Sequence, residues 1–166
     1  MKGISVIIDD SEEYLGIVVG SDLVIGGLLA HPIKQYVGKT VHMKELSRDM
    51  KRSVAKFFVE TYLKLREKYA LKLRCGKREE VISQLRAFIE TSVKERKELP
   101  TFYADKGIEI LLRRNIHPAY FRFLTIYPDK EKTLCADILA WLNLRKSKSR
   151  LIWRKIASQI EELDID

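Results

Sequence analysis

The spacing of apolar residues changes near Met43, and this change limits the possible fold more than any other feature of the chain. Before Met43 the apolar residues form short, partly β-branched runs of the kind that make strands. After Met43 they recur mainly every three or four positions, which places them on one face of a helix. We therefore predict an α+β fold, with a small N-terminal antiparallel β domain followed by a larger all-α helical bundle domain.

The N-terminal pattern predicts the strands of this small sheet. They are expected in the runs Ile4–Ile8, Tyr14–Val19 and Leu23–Ala30, with one further short strand between Tyr36 and Met43. Gly20, Ser21 and Asp22 predict a tight hairpin turn between the second and third runs.

The C-terminal pattern predicts mostly helices. A helix is expected over residues 44–70, then a strand at 71–75, a second helix that ends before Pro100, and a third helix that Thr101 caps. Residues 116–128 fit a short helix and an alternating strand equally well, so their structure stays open. One long helix is expected over residues 131–163. The predicted domains are 1–76, β-rich with a basic helix, and 77–166.

The acidic residues between the first two predicted strands have two interpretations. Asp9, Asp10, Glu12 and Glu13 could bind a hard cation through their carboxylate oxygens. Four acids in five residues between strands are more often a solvated turn, and we adopt that interpretation.

Other features of the sequence exclude several classes of protein. The longest apolar run, Leu23–Ala30, is far shorter than the roughly 18 residues of a membrane span, and no export signal follows Met1. Cys75 and Cys135 lie too far apart in sequence for a short metal-binding pair, and the three histidines are scattered. We expect a cytoplasmic, nucleoid-associated protein that is not an enzyme, with no catalytic, cofactor-binding or metal-binding residues and no membrane partner.

The net charge of +8 is concentrated after Met43. Such an excess favours nucleic acid or an acidic protein as a partner, and it is also typical of heat-adapted proteins rich in ion pairs. The densest basic run would be the surface for DNA contact, and it comprises Arg145, Lys146, Lys148, Arg150, Arg154 and Lys155. We favour a solvated helix face for this run, and a phosphate-contacting surface that carries no sequence information is the alternative.

Two segments together resemble a known family. The first contains Glu95-Arg96 followed by Leu99-Pro100-Thr101-Phe102-Tyr103, and the second contains Leu134, Asp137-Ile138 and Arg145. In this order they resemble the GINS family of replication subunits, in particular the archaeal type with a B domain before the A domain, similar to the eukaryotic Psf2/Psf3 class.

The resemblance implies a non-catalytic assembly protein. It implies a heterotetramer with a sister GINS subunit that joins the MCM helicase to a Cdc45/RecJ-like protein at the replication fork. The expected subunit interface contains Phe102, Tyr103, Leu111, Leu112, Trp141, Ile152 and Ile156. Of these, Tyr103 is the better interface candidate, and a place in the core is the safer interpretation for Phe102. The alternative function is a standalone helix-turn-helix-like DNA-binding protein that uses the basic C-terminal helix.

Overall fold

One mixed five-stranded sheet forms the centre of the protein. The computed structural model describes residues 3–39 and 42–147. The strands are β1 (Ile4–Ser11), β2 (Tyr14–Ser21), β3 (Lys72–Lys77), β4 (Thr101–Tyr103) and β5 (Ile126–Tyr127). Their order across the sheet is β3-β2-β1-β4-β5. β2 pairs antiparallel with both β1 and β3, whereas β4 runs parallel to β1 and β5 runs parallel to β4.

Helices cover both faces of this sheet. A π-helical segment, Val24–Ala30, leads into α1, and a 3₁₀ turn, Met43–Glu45, precedes α2. The α-helices are α1 (His31–Val37), α2 (Arg48–Arg66), α3 (Arg78–Lys94), α4 (Lys106–Asn115), α5 (Pro118–Phe121) and α6 (Lys130–Ser147).

The strands β1 and β2 supply apolar side chains to two separate cores. Ile7 and Val18 contact the core beneath α2 and α6, whereas Ile8 and Ile17 contact the core beneath α3 and α4. Because successive side chains of a strand point to opposite faces, a strand between two helical layers must be apolar on both. This explains the unbroken apolar run that ends just before Asp9.

The predicted α+β class is confirmed. The structure also shows how the two predicted segments of the chain contribute to the sheet. β1 pairs with β4 through Ile7 and Tyr103, so strands from both predicted segments, 1–76 and 77–166, belong to one sheet. Residues 77–147 contribute two strands as well as helices. The open region 116–128 contains both candidate structures, the short helix α5 and the strand β5.

The predicted strand over Leu23–Ala30 is wrong, because this run is helical. The Ser21 hydroxyl accepts the backbone N–H of Val24 at 3.2 Å, so the predicted hairpin turn is instead a helix start. Ile25, Leu29 and Ile33 are fully buried at a spacing of four, which is a helical stripe. The strand predicted from Tyr36 is also wrong at its start, since α1 continues to Val37, and Val41 lies outside the described residues.

The predicted helix capped by Thr101 begins later than expected. Residues 101–103 form β4, which is held in the sheet by β1 and β5. The helix α4 begins at Lys106, and Asp105 caps it by accepting the N–H of Ile108 at 2.8 Å. The pairing of residues 101–103 with β1 and β5 thus outweighs the preference for a helix to begin just after Pro100.

The helix α6 lies directly on the backbone of β2 at Gly16. A Cβ atom at this position would lie 2.3 Å from the carbonyl oxygen of Ala136 and 2.9 Å from the amide nitrogen of Ala140. No side chain fits there unless the helix moves. Gly16 therefore sets how closely α6 approaches the sheet.

We expect Gly16→Ala to lower the free energy of unfolding by about 3 kcal/mol or more, because rigid backbone atoms occupy the space of the new methyl group. Gly27→Ala is the matched control. That glycine is exposed in the Val24–Ala30 segment with nothing within 4 Å of the added Cβ, so the change should be neutral or mildly stabilising. Urea unfolding of both variants measures this, and equal stabilities would contradict the close approach.

Candidate metal centre

Asp9 is a buried acid near the end of β1. Only 2% of its surface is exposed, although the adjacent residues from Asp10 to Glu13 are more accessible. The interpretation of Asp9 as part of a solvated turn is therefore wrong: β1 continues to Ser11 and carries Asp9 into the interior. Asp9 is the cross-strand neighbour of Gly16, so it lies beneath α6. One of its oxygens, Oδ1, accepts the N–H of Asp10 at 2.9 Å.

Asp137 is a second buried acid, and it comes from α6. It is 5% exposed within a helical segment, Leu134–Leu142, whose other residues are all buried. Its Oδ2 accepts the backbone N–H of Met43 at 2.7 Å. Because α6 contacts β2 at Gly16, the helix brings Asp137 close to Asp9 on the adjacent strand.

His42 completes a cluster of three ligand-bearing side chains. Its Nδ1 lies 3.7 Å from Oδ2 of Asp137, and the ring is half exposed. One carboxylate oxygen from each of Asp9 and Asp137 and one ring nitrogen of His42 all lie within 4.8 Å of one another. Two ligands on opposite sides of a cation, at about 2.1 Å each, are about 4.2 Å apart, so the three groups have the spacing of a partial coordination shell.

These acids open onto a cavity of about 500 Å³. Residues from β1 and its turn, the 3₁₀ turn, α2, the start of α4, and α6 all contribute to its wall. The lining residues are Asp9, Asp10, Ser11, Glu12, His42, Lys44, Lys51, Asp105, Asp137, Trp141 and Leu144. The site is thus assembled from segments that are far apart in the sequence.

Two further acids of the cavity differ in their local contacts. Asp105 uses Oδ1 to cap α4, which fixes its carboxylate at the cavity wall. Asp10 is bound at the rim by Arg78, whose guanidinium donates to Oδ2 of Asp10 at 2.9 Å and to the carbonyl oxygen of Glu12 at 2.7 Å. The ion pair with Arg78 makes Asp10 a less suitable cation ligand than Asp9.

Burial and mutual repulsion make the charged forms of the two buried acids costly. Burial raises the pKa of Asp9 to about 8, and the nearby charge of Asp137 and, to a smaller extent, Asp105 adds to this rise. Burial also raises the pKa of Asp137, although the Met43 N–H and the positive charges of His42 and Lys44 act in the opposite direction. A cation between these acids would compensate their negative charges and favour their ionised forms.

The donor set fits a hard divalent cation such as Mg²⁺ or Mn²⁺. Carboxylate oxygens are the ligands that these ions prefer, and water from the open cavity can fill the remaining positions. An imidazole nitrogen is an acceptable additional ligand for Mn²⁺. We therefore assign Asp9, Asp137 and His42 as the residues that would hold such an ion, with Asp105 at the wall beside them.

The residues expected at a subunit interface lie mostly inside this chain. Phe102 and Leu112 are fully buried, which confirms the core interpretation of Phe102, and Trp141 is 5% exposed. Tyr103 and Leu111 are half-buried. Ile152 and Ile156 lie outside the described residues. The apolar stripe of α6 between Leu134 and Leu142 is covered by the sheet, α1 and α2 rather than open to a neighbour.

The basic run expected to contact DNA lies mostly beyond the described residues. Arg145 and Lys146 belong to α6, which continues through Ser147, so no turn of a helix-turn-helix occurs up to that point. Lys148, Arg150, Arg154 and Lys155 lie outside the described part, as does the rest of the predicted helix to residue 163. The start of that helix is confirmed, since α6 begins at Lys130.

Two signals in the sequence point to this site in retrospect. Asp137 is the single charged residue in the apolar stretch from Leu134 to Leu142, and a lone acid in a helix that is buried on all sides has to be buried as well. Asp9 directly follows a strand that is apolar on both faces. The distance between the two acids could not be predicted, because it depends on the contact of α6 with Gly16.

Comparison with known protein families, with curated proteins and with solved structures finds no match to this chain. The GINS resemblance is therefore neither supported nor excluded by relatives, and it stays a prediction. Within residues 3–39 and 42–147, no helix is long and apolar enough to cross a membrane.

We expect the stability of the cation-free protein to decrease as the pH rises from about 4 to about 8. An ordinary aspartate has a pKa of 3.8, and burial raises the pKa of Asp9 to about 8, so between these pH values the folded state binds one more proton than the unfolded state. The slope for one proton is at most about 1.4 kcal/mol per pH unit. Urea unfolding in EDTA at pH 5, 6, 7 and 8 measures it.

Asp9→Asn should flatten this pH dependence and raise the stability at pH 8, since asparagine is isosteric and uncharged. Asp49→Asn, at an exposed position in the first turn of α2, should retain the dependence of the unmodified protein. Parallel pH profiles for all three proteins would show that Asp9 ionises as an ordinary carboxyl.

Proposed function

We propose that the protein is a divalent-cation-dependent phosphodiesterase that hydrolyses nucleic acid. The observation that carries this proposal is the pair of buried acids, Asp9 and Asp137, with His42 at coordinating distance on an open cavity. Buried carboxylates side by side are unfavourable unless a proton or a cation compensates them. The proposal departs from the expectation that the chain is not an enzyme, which neither the structure nor the comparisons test.

The chemistry that such a site can perform is phosphoester hydrolysis. A bound Mg²⁺ or Mn²⁺ would supply a Lewis acid for a phosphoryl oxygen and would make water more acidic. In the overall hydrolysis the oxygen of a water molecule bonds to phosphorus and the water loses a proton, while the bond from phosphorus to one sugar oxygen breaks and this oxygen takes up a proton. The products are a phosphomonoester and an alcohol. Asp9, Asp137 and His42 would hold the ion, and Asp105, on the wall of the same cavity, would accept a proton from the water.

Nucleic acid is the phosphodiester that fits the charge of the chain. The net charge is +8 and the sequence pI is about 9.4, so the field of the whole protein attracts a polyanion. Two lysines, Lys44 and Lys51, lie on the wall of the same cavity as the acids. The carboxylates that would bind the metal ion and the lysines that would bind phosphate thus line the same cavity.

The test is cleavage of fluorescently labelled single-stranded DNA, duplex DNA and RNA with the purified full chain. We expect cleavage of at least one substrate in Mn²⁺ or Mg²⁺ and none in EDTA. Asp9→Asn and Asp137→Asn should each lower the rate at least 100-fold, because each removes a charged ligand. Mn²⁺ binding measured by calorimetry should be weakened by the same substitutions.

Asp49→Asn is the matched control for this experiment, since the same chemical change is made on the exposed surface of α2. It should retain full activity. Mn²⁺ binding without cleavage of any of the three substrates would contradict the proposed reaction but not the cation site. Cleavage that persists unchanged in Asp137→Asn would show that a contaminating nuclease or another site is responsible.

A further inference from the structure

We propose that Lys51 holds the scissile phosphate against the cation, as the phosphate-positioning residue of this site. This inference rests on the proposed function and adds a group that binds substrate rather than the ion. Three observations support it: the place of Lys51 on α2, its partial burial, and the absence of an ion-pair partner for it among the described residues.

Lys51 lies on the face of α2 that is directed into the protein. It is followed at helical spacing by the buried residues Ala55, Phe58 and Tyr62. This stripe packs against the core shared with α6. Lys51 is the residue of this stripe that lines the cavity. Lys51 and the acids therefore line one cavity.

The first turn of α2 is well fixed, so the position of Lys51 is well defined. The Ser47 hydroxyl accepts the N–H of Met50 at 3.2 Å, and the Ser47 carbonyl accepts the N–H of Lys51 at 2.8 Å. Val54 and Ala55, in the next turn, are fully buried. Groups on a rigid element can position a substrate more closely than groups on a mobile loop.

Lys51 is half-buried without a carboxylate partner. Among the described residues, no ion pair within 4.0 Å joins it to an aspartate or glutamate. A partly desolvated ammonium group normally gains such a partner or extends into water. Here the acids of the cavity are the ligand set of the cation, so a phosphate oxygen is the anion that fits the remaining space.

The cation and Lys51 would act on different oxygens of the same phosphate. Negative charge builds up on the equatorial oxygens during hydrolysis, and a fixed ammonium donor stabilises that charge. Lys44 has a different role, because its positive charge lowers the pKa of Asp137 and thus acts on the ligand set itself. Lys44 is also exposed, whereas Lys51 is not.

The role of Lys51 predicts opposite effects on substrate and cation. Lys51→Met keeps the length of the side chain and removes its charge. We expect it to lower the rate of cleavage in saturating Mn²⁺ about 100-fold, as removal of one transition-state donor does in other enzymes. The affinity for Mn²⁺, measured by calorimetry, should stay the same or rise up to about fivefold, since a nearby positive charge is lost.

The controls separate this role from a structural one. Lys56→Met changes an exposed lysine one turn later on α2 and should leave both measurements unchanged. Lys51→Arg retains the charge and should recover part of the cleavage. Thermal unfolding of each variant shows whether it is folded, and Lys51→Arg remains informative if Lys51→Met does not fold.

Two results would overturn the inference. One is cleavage by Lys51→Met at the rate of the unmodified protein. The other is a parallel loss of cleavage and Mn²⁺ affinity in this variant. That result would show that Lys51 holds the residues that bind the cation in place instead of binding the phosphate. Failure of the proposed function looks different, because then the unmodified protein binds Mn²⁺ and cleaves none of the nucleic acids.

Discussion

The contact of α6 with the backbone of β2 at Gly16 is the constraint on which the rest of the structure depends. No Cβ atom fits between Gly16 and the backbone of Ala136 and Ala140, so the helix packs closer to the sheet than any other residue at position 16 would allow. Asp9 is the cross-strand neighbour of Gly16, and Asp137 follows Ala136 directly. The same contact that closes the core therefore places two acids side by side at the end of the sheet.

Two neighbouring buried acids reduce the stability of the fold. An apolar pair in place of the two acids would remove a desolvation penalty from the core and would raise no like-charge repulsion. The protein instead has two acids that are 2% and 5% exposed, together with a histidine and an open cavity. Buried groups that lower the stability of a fold in this way are typical of functional sites.

Much of the fold could be predicted from periodicity, and the exceptions have identifiable causes. The strands β1, β2 and β3 and the start of α6 follow directly from the apolar spacing. The run Leu23–Ala30 was misassigned because a short apolar run with two glycines gives no clear period. The short strands β4 and β5 exist through pairing in the sheet, and pairing partners cannot be identified from local sequence.

The candidate site could be predicted less well than the fold. The acids at 9, 105 and 137 lie on β1, before α4 and on α6, so only the tertiary structure brings them to one cavity. His42 was one of three scattered histidines, and its role depends on the 3₁₀ turn that presents Met43 to Asp137. The residues of the GINS-like segments Phe102 and Trp141 are buried here for packing reasons within one chain.

Anomalous diffraction from crystals soaked in Mn²⁺ tests the central claim most directly, because it locates the ion itself. We predict an anomalous peak between the side chains of Asp9 and Asp137, at coordinating distance from a carboxylate oxygen of each and facing the cavity. A crystal in which Mn²⁺ binds elsewhere on the chain, with this position empty at saturating concentration, would contradict the assignment of these acids as a cation site.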